Sequence, residues 1–149
     1  MYILFLDKDK NSAYSINCML PITYKDTVPF IPPIQGGTVV KVYDGDTITI
    51  ASRLPYDSSP MYRFSVRLTG IDCPEMKSRN EGERKLALHA ANMLQDKIMG
   101  KYVELQNMGT EKYGRLLADV FLDGEHINEW ILMNGFARPY SGGKKESFV

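Results

Sequence analysis

The spacing of apolar and polar positions along the chain changes period several times, and each change predicts an element. From Thr38 the pattern is strand-like: Val40 and Val42 are expected on one face, the Asp44-Gly45-Asp46 turn follows, and Ile48 and Ile50 resume the alternation. Beyond a polar loop at about residues 55–60, Tyr62, Phe64, Val66 and Leu68 alternate with Arg63, Ser65 and Arg67. Arg67 is therefore expected to point away from the core. After Asn80 the period lengthens to that of a helix, with Leu86, Ala90, Met93, Leu94 and Ile98 on one stripe, Asn80 and Glu83 at capping-box spacing, and Gly100 as the stop. Two more strands are expected at residues 102–105 and 116–122, then a turn at Asp123-Gly124. A short second helix carries Ile127, Trp130 and Ile131 on one face and closes at Gly135.

Five strands, with an amphipathic helix between the third and fourth and a short C-terminal helix, make an α+β chain with the element order of an OB-fold β-barrel. Residues 1–35 lack sustained periodicity and end in Pro29, Pro32 and Pro33, which predicts an N-terminal extension or arm whose apolar residues, Phe30 and Ile31 among them, could pack on the barrel. The domain is expected over 36–140, followed by a flexible, Gly-rich and basic tail over 141–149.

Composition narrows the picture. At 149 residues and 44% hydrophobic content the chain can build one core unaided, so a metal would serve chemistry rather than folding. The 18 basic and 18 acidic residues cancel, which excludes a global positive field; any attraction for phosphate has to be local. The apolar start is cut short by the charged residues 7–10, no membrane span is visible, and Cys18 and Cys73 lie in dissimilar segments. A reduced, intracellular monomer is expected.

The candidate chemistry is a set of oxygen donors and guanidinium groups. Asp44 and Asp46 fall in the first turn, and Asp72 and Glu75 directly follow the third strand; hard divalent cations favour such carboxylates. Arg67 and Arg115 carry planar, permanently charged groups suited to phosphate oxygens. Each is commonplace alone, and only the combination provides what phosphoryl hydrolysis needs. His89 and His126 are expected in surface or capping roles, which argues against zinc.

The blocks VYDGDTITI, VRLTGIDCPE and EKYGR, in this order and spacing, resemble the signature blocks of the staphylococcal nuclease family, and the similarity runs from about Gly37 to Tyr140. The resemblance implies a calcium-dependent endonuclease of DNA and RNA, with single-stranded or melted substrate preferred and 3′-phosphate ends produced. It implies that Asp46, Asp72 and the backbone carbonyl of Cys73 bind Ca2+ with support from Asp44, that Glu75 is the general base, and that Arg67 and Arg115 grip the scissile phosphate. Lys112 and Tyr113 would contact a terminal phosphate, and Tyr140 would stack on a base. Position 73 is Cys where the staphylococcal enzyme has Thr. The alternative is a catalytically silent OB-fold module that binds nucleic acid or protein; such modules lack several of these side chains, and all of them stand here.

Overall fold

The computed structural model describes residues 21–143, 145, 147 and 148. The expectations for residues 1–20, including the state of Cys18, lie outside the described residues. Strands β1 (Gly36–Asp44), β2 (Thr47–Ser52) and β3 (Tyr62–Leu68) form an antiparallel meander, and β4 (Ile71–Asp72) follows β3 directly. Helix α1 (Glu81–Ile98) leads to β5 (Tyr102–Thr110) and β6 (Leu116–Leu122), which pair antiparallel. β5 lies beside β1, and β6 runs parallel to β3 with Arg67 opposite Leu117, so five strands close on themselves. The OB-fold barrel expected from the pattern is present. After β6, the two-residue β7 (Glu125–His126) leads into α2 (Ile127–Met133), and β8 (Arg138–Pro139) pairs with β4. No helix among the described residues is long and apolar enough to cross a membrane.

The interior follows the predicted alternation on most strands. Leu116, Ala118, Val120 and Leu122 are buried in turn along β6, and Ile48, Ile50, Val66 and Leu68 meet them from β2 and β3. β1 departs from it. Val39, not Val40, enters the core, and Val40 is largely exposed. The register explains this: Val39 pairs with Ile50 and Lys41 with Thr49, leaving Val40 as the extra residue of a bulge, and a second register shift leaves Tyr43 unpaired before Asp44. A bulge interrupts the period of two and coils the strand more tightly, as barrel closure requires.

Helix α1 buries Ala87, Ala90, Ala91, Leu94 and Ile98, so the small residue at 87 replaces Leu86 on the packed face, and Leu86 is turned outward. Asn80 caps the helix by accepting from the Gly82 and Glu83 amides, an arrangement that contributes about 1 kcal/mol. The reciprocal half of the capping box is missing because Glu83 accepts from Ser78 instead. His126 precedes α2 without capping it and stacks on Phe121 with ring centroids 4.7 Å apart.

Asn128, on the buried face of α2, ties that helix to the barrel seam. Its Oδ1 accepts from the Val120 amide at 3.0 Å, and its Nδ2 donates to the carbonyls of Thr69 at 2.9 Å and Ala118 at 3.3 Å. Before β1, Ile34 joins the core, whereas Phe30 and Ile31 stay exposed rather than packing on the barrel. The loop between β2 and β3 folds back on itself: Arg53 donates to the Ser59 carbonyl and the Tyr56 and Tyr62 hydroxyls pair at 2.6 Å.

Candidate active site

Arg67 stands on the outward face of β3, as the alternation predicts, yet it is only 9% exposed. Carboxylates cover it. Its Nη1 lies 2.7 Å from Asp46 Oδ1, and its Nη2 lies 3.5 Å from Asp72 Oδ1. Asp46 comes from the β1–β2 turn and Asp72 from β4, so barrel closure brings together two acids far apart in the chain around one guanidinium. Asp46 also accepts from Thr47 Oγ1 at 2.9 Å and from the Cys73 amide at 3.2 Å. Gly45 allows this close approach: a Cβ there would lie 2.7 Å from Cys73 Sγ and 3.0 Å from the Ala90 side chain.

Asp44 accepts from the Asp46 amide at 3.2 Å, and its pKa is pushed up to about 6 by burial and by the charge of Asp46. Negative charge accumulates at this turn beyond what the neighbouring cations offset, and a hard cation would relieve it. The donor set is sparse, however. Among the described residues no three His, Cys, Asp or Glu side chains come together as a ready metal cage, so a cation held here would need backbone carbonyls and waters alongside Asp46 and Asp72.

Arg115, in the turn before β6, donates through Nη1 to Thr47 Oγ1 at 3.2 Å and through Nε to Glu111, whose hydrogen bond raises the arginine's pKa above its ordinary value. Thr47 thereby links Asp46 to Arg115. Asp44, Asp46, Arg67, Cys73, Glu75 and Arg115 all line one open cleft of about 160 Å³. Lys112, Tyr113 and Tyr140 line an adjoining cavity of about 450 Å³ that shares Arg67, Glu75 and Arg115. Asp72 lines neither cavity; it is buried and joined to them by its contact with Arg67. Lys112 sits over the Tyr113 ring at 4.8 Å. The Cys73 side chain is buried, and burial together with Asp46, Asp44 and Asp72 pushes its thiol far above the usual range, which disfavours the thiolate.

The structure adds two cations that the sequence pattern did not mark. Arg138 of β8 reaches Asp72 Oδ2 at 3.3 Å, and Lys145 lies 2.9 Å from Asp72 Oδ1 and 2.8 Å from Glu75 Oε1. Asp72 thus faces three cations. Arg138 also meets the Phe148 ring at 4.0 Å and donates to the Ser147 carbonyl, so these residues lie against the acid cluster. The placement of Arg138 opposite Asp72 follows from the β4–β8 pairing.

The family of staphylococcal nuclease homologues matches residues 65–147, more than half of the chain. The chain belongs to that family. The matched span of this staphylococcal nuclease homologue begins after the first turn, so Asp44 and Asp46 enter through geometry, by their contacts with Arg67 and Cys73. An uncharacterized protein of Bacillus anthracis is 32% identical over 120 residues, covering 78% of this chain and 52% of the relative. An uncharacterized endonuclease of Escherichia coli O157:H7 is 32% identical over 105 residues, 70% of this chain and 60% of the relative. An uncharacterized endonuclease of Haemophilus influenzae is 33% identical over 102 residues, 68% of this chain and 51% of the relative. The chain therefore spans between about half and three-fifths of the length of these relatives.

Proposed function

We propose that this staphylococcal nuclease homologue is a calcium-dependent endonuclease that hydrolyses phosphodiester bonds of DNA and RNA. The observation that carries the reading is the joint placement of Arg67, Arg115 and Glu75 on the cleft where Asp44 and Asp46 concentrate negative charge. The family membership and the endonuclease names of two relatives support it.

In this reading Asp46 and Asp72 hold the cation, with the Cys73 carbonyl as a further donor and Asp44 supporting them. Bound calcium supplies a Lewis acid that polarises the phosphoryl group. Arg67 and Arg115 approach the scissile phosphate from two sides and offset the charge that builds on its equatorial oxygens during in-line displacement. Glu75 is the exposed carboxylate of the cleft and accepts a proton from the attacking water. That role requires Lys145 to leave Glu75, since an ammonium at 2.8 Å competes with water for the same oxygen. Lys112 and Tyr113 receive a phosphate at the rim of the cavity, and Tyr140 offers a face for a base. Asp72 stays anchored throughout by Arg138 from the opposite side.

The test is cleavage of single-stranded DNA and RNA with calcium, with magnesium and with EDTA, for the wild type and for Glu75→Gln. Calcium-dependent cleavage that falls by a factor of about 10² or more in the variant is expected, the usual scale for a general base. No cleavage in any buffer, with oligonucleotide binding retained, would instead establish a binding module built on an intact set of side chains.

A further inference from the structure

The outward face of the β1–β2–β3 meander continues the cleft. Register pairs Asp44 with Thr47 and Thr47 with Arg67, so these three form the row of the candidate site. The next row, by the same pairing, is Lys41, Thr49 and Ser65, and the row beyond it ends on Arg63 opposite Ala51. Residues directly opposite each other on antiparallel strands project from one face, so Lys41, Ser65 and Arg63 share the face of Arg67. Lys41, Ser65 and Arg63 are exposed, and the two rows beyond the site contain cations and hydroxyls but no carboxylate. Tyr43, left unpaired at the second register shift of β1, lines the cleft itself, and its ring centre lies 5.8 Å from Lys41 Nζ.

We propose that this face is a binding track for the backbone of a single-stranded polynucleotide entering or leaving the cleft. The inference rests on the nuclease reading and specifies its substrate: a strand long enough to lie along β3. Arg63 stands four residues from Arg67, about 13 Å along an extended strand, so a chain of only one or two nucleotides held at Arg67 does not engage it fully. Alternate residues on a strand are about 6.6 Å apart, which sets Arg67, Ser65 and Arg63 at even intervals as donors to successive backbone oxygens. Lys41 supplies the parallel charge from β1, and the Tyr43 ring offers a face on which a base can stack between the track and the cleft. Charge complementarity and continuity with the site favour a nucleic-acid strand over a protein partner, because the two rows set Lys41 and Arg63 beside hydroxyls with no carboxylate among them, and the exposed side chain at the far end of the second row is an aromatic, Tyr102.

The experiment separates this proposal from the nuclease reading. A labelled single-stranded oligonucleotide of about 12 nucleotides, within the range an OB-fold can hold, is titrated in EDTA at about 50 to 200 mM salt. Wild type, Lys41→Ala/Arg63→Ala and the off-track control Lys85→Ala are compared. Loss of two phosphate contacts should weaken binding several-fold and flatten the dependence of log affinity on log salt by about 1.4, whereas Lys85→Ala should match wild type. Lys41→Glu/Arg63→Glu should deepen the loss at an unchanged unfolding midpoint. Under calcium, the Ala pair should raise KM for the 12-mer while leaving cleavage of a dinucleotide unchanged. Wild-type affinity and salt slope in the double variant would overturn the track, as would equal losses on the long and short substrates. Failure to cleave any substrate counts against the nuclease reading and leaves the EDTA titration to decide the track.

Discussion

Substituting Asp44→Asn should stabilise the calcium-free protein, and the gain should depend on pH in a way that reports the charge at the first turn. The amide keeps the acceptor oxygen that receives the Asp46 N–H and removes only the charge. Asp44 has its pKa raised from 3.8 to about 6, chiefly by burial and then by Asp46. Between those values the folded protein holds a proton that the unfolded chain has released, so wild-type stability contributed by this group falls as pH rises through the window. Below pH 3.8 the group costs nothing; above pH 6 the penalty is complete, and at 1.36 kcal/mol per pH unit it reaches about 3 kcal/mol as an upper bound. The difference in unfolding free energy, Asp44→Asn minus wild type, should therefore climb between about pH 4 and 6 and level off above. Urea unfolding followed by the fluorescence of Trp130, the single tryptophan, measures it, since that ring packs between Lys97 and Phe136. A second arm adds calcium above pH 7. A cation beside Asp44 relieves the same repulsion, so the advantage of the variant should shrink or reverse. A pH-independent difference would refute the assigned cause, and a difference untouched by calcium would refute a cation at this turn.

Two further outcomes follow from contacts on the page. Asn128→Ala strands the Val120 amide and removes a donor from the Thr69 carbonyl, while the Ala118 carbonyl keeps the Thr69 amide, so it should lower stability by roughly 1–3 kcal/mol, read as a shift of the urea midpoint at constant slope. Lys145→Ala should tighten calcium binding, because the ammonium occupies Asp72 and Glu75; the residue is 39% exposed along its side chain, so the gain is limited to about 1 kcal/mol, roughly fivefold, by calorimetric titration. Unchanged affinity would mean that Lys145 vacates the acids at no cost.

Much of this architecture was legible in the sequence because burial on one face writes itself as period. The alternation along Leu116–Leu122 places β6, and the stripe from Ala90 to Ile98 places most of α1. A bulge leaves no such trace: inserting Val40 between paired residues shifts the face of everything before it, so Val39 and Val40 exchange places relative to simple alternation. The choice of Ala87 over Leu86 on α1 has the same character. Both fit an apolar stripe, and packing decides between them: Ala87 lies three residues before Ala90, the side chain that meets the turn at Gly45, on the buried face of the helix. The acids and arginines of the site could be named from their types and spacing, but Thr47, Arg138 and Lys145 could not. Their importance comes from partners more than 60 residues away or from the end of the chain, contacts that only closure of the barrel and the β4–β8 pairing create.

That dependence makes the site inseparable from the seam of the barrel. Arg67 lies on β3 at its pairing with β6, Leu68 donates to the Asp46 carbonyl at 2.9 Å, and Thr69 donates to Ala118 at 3.0 Å, so the strand that carries the arginine is held on both sides within two residues. Asn128 locks the same seam from α2. On the proposed reading, an arginine on a strand held this way needs little backbone reorganisation to meet a phosphate, which is how preorganised charge lowers a barrier. The acids opposite it are placed less evenly: Arg67, Arg138 and Lys145 all turn to Asp72, whereas Asp44 and Asp46 at the first turn repel each other. On the proposed reading, a cation or substrate that reaches Asp72 displaces existing ion pairs rather than entering empty space. Of these pairs, the one made by Lys145 is the most exposed and the only one outside the barrel and its β4–β8 extension, so it is the contact expected to yield first.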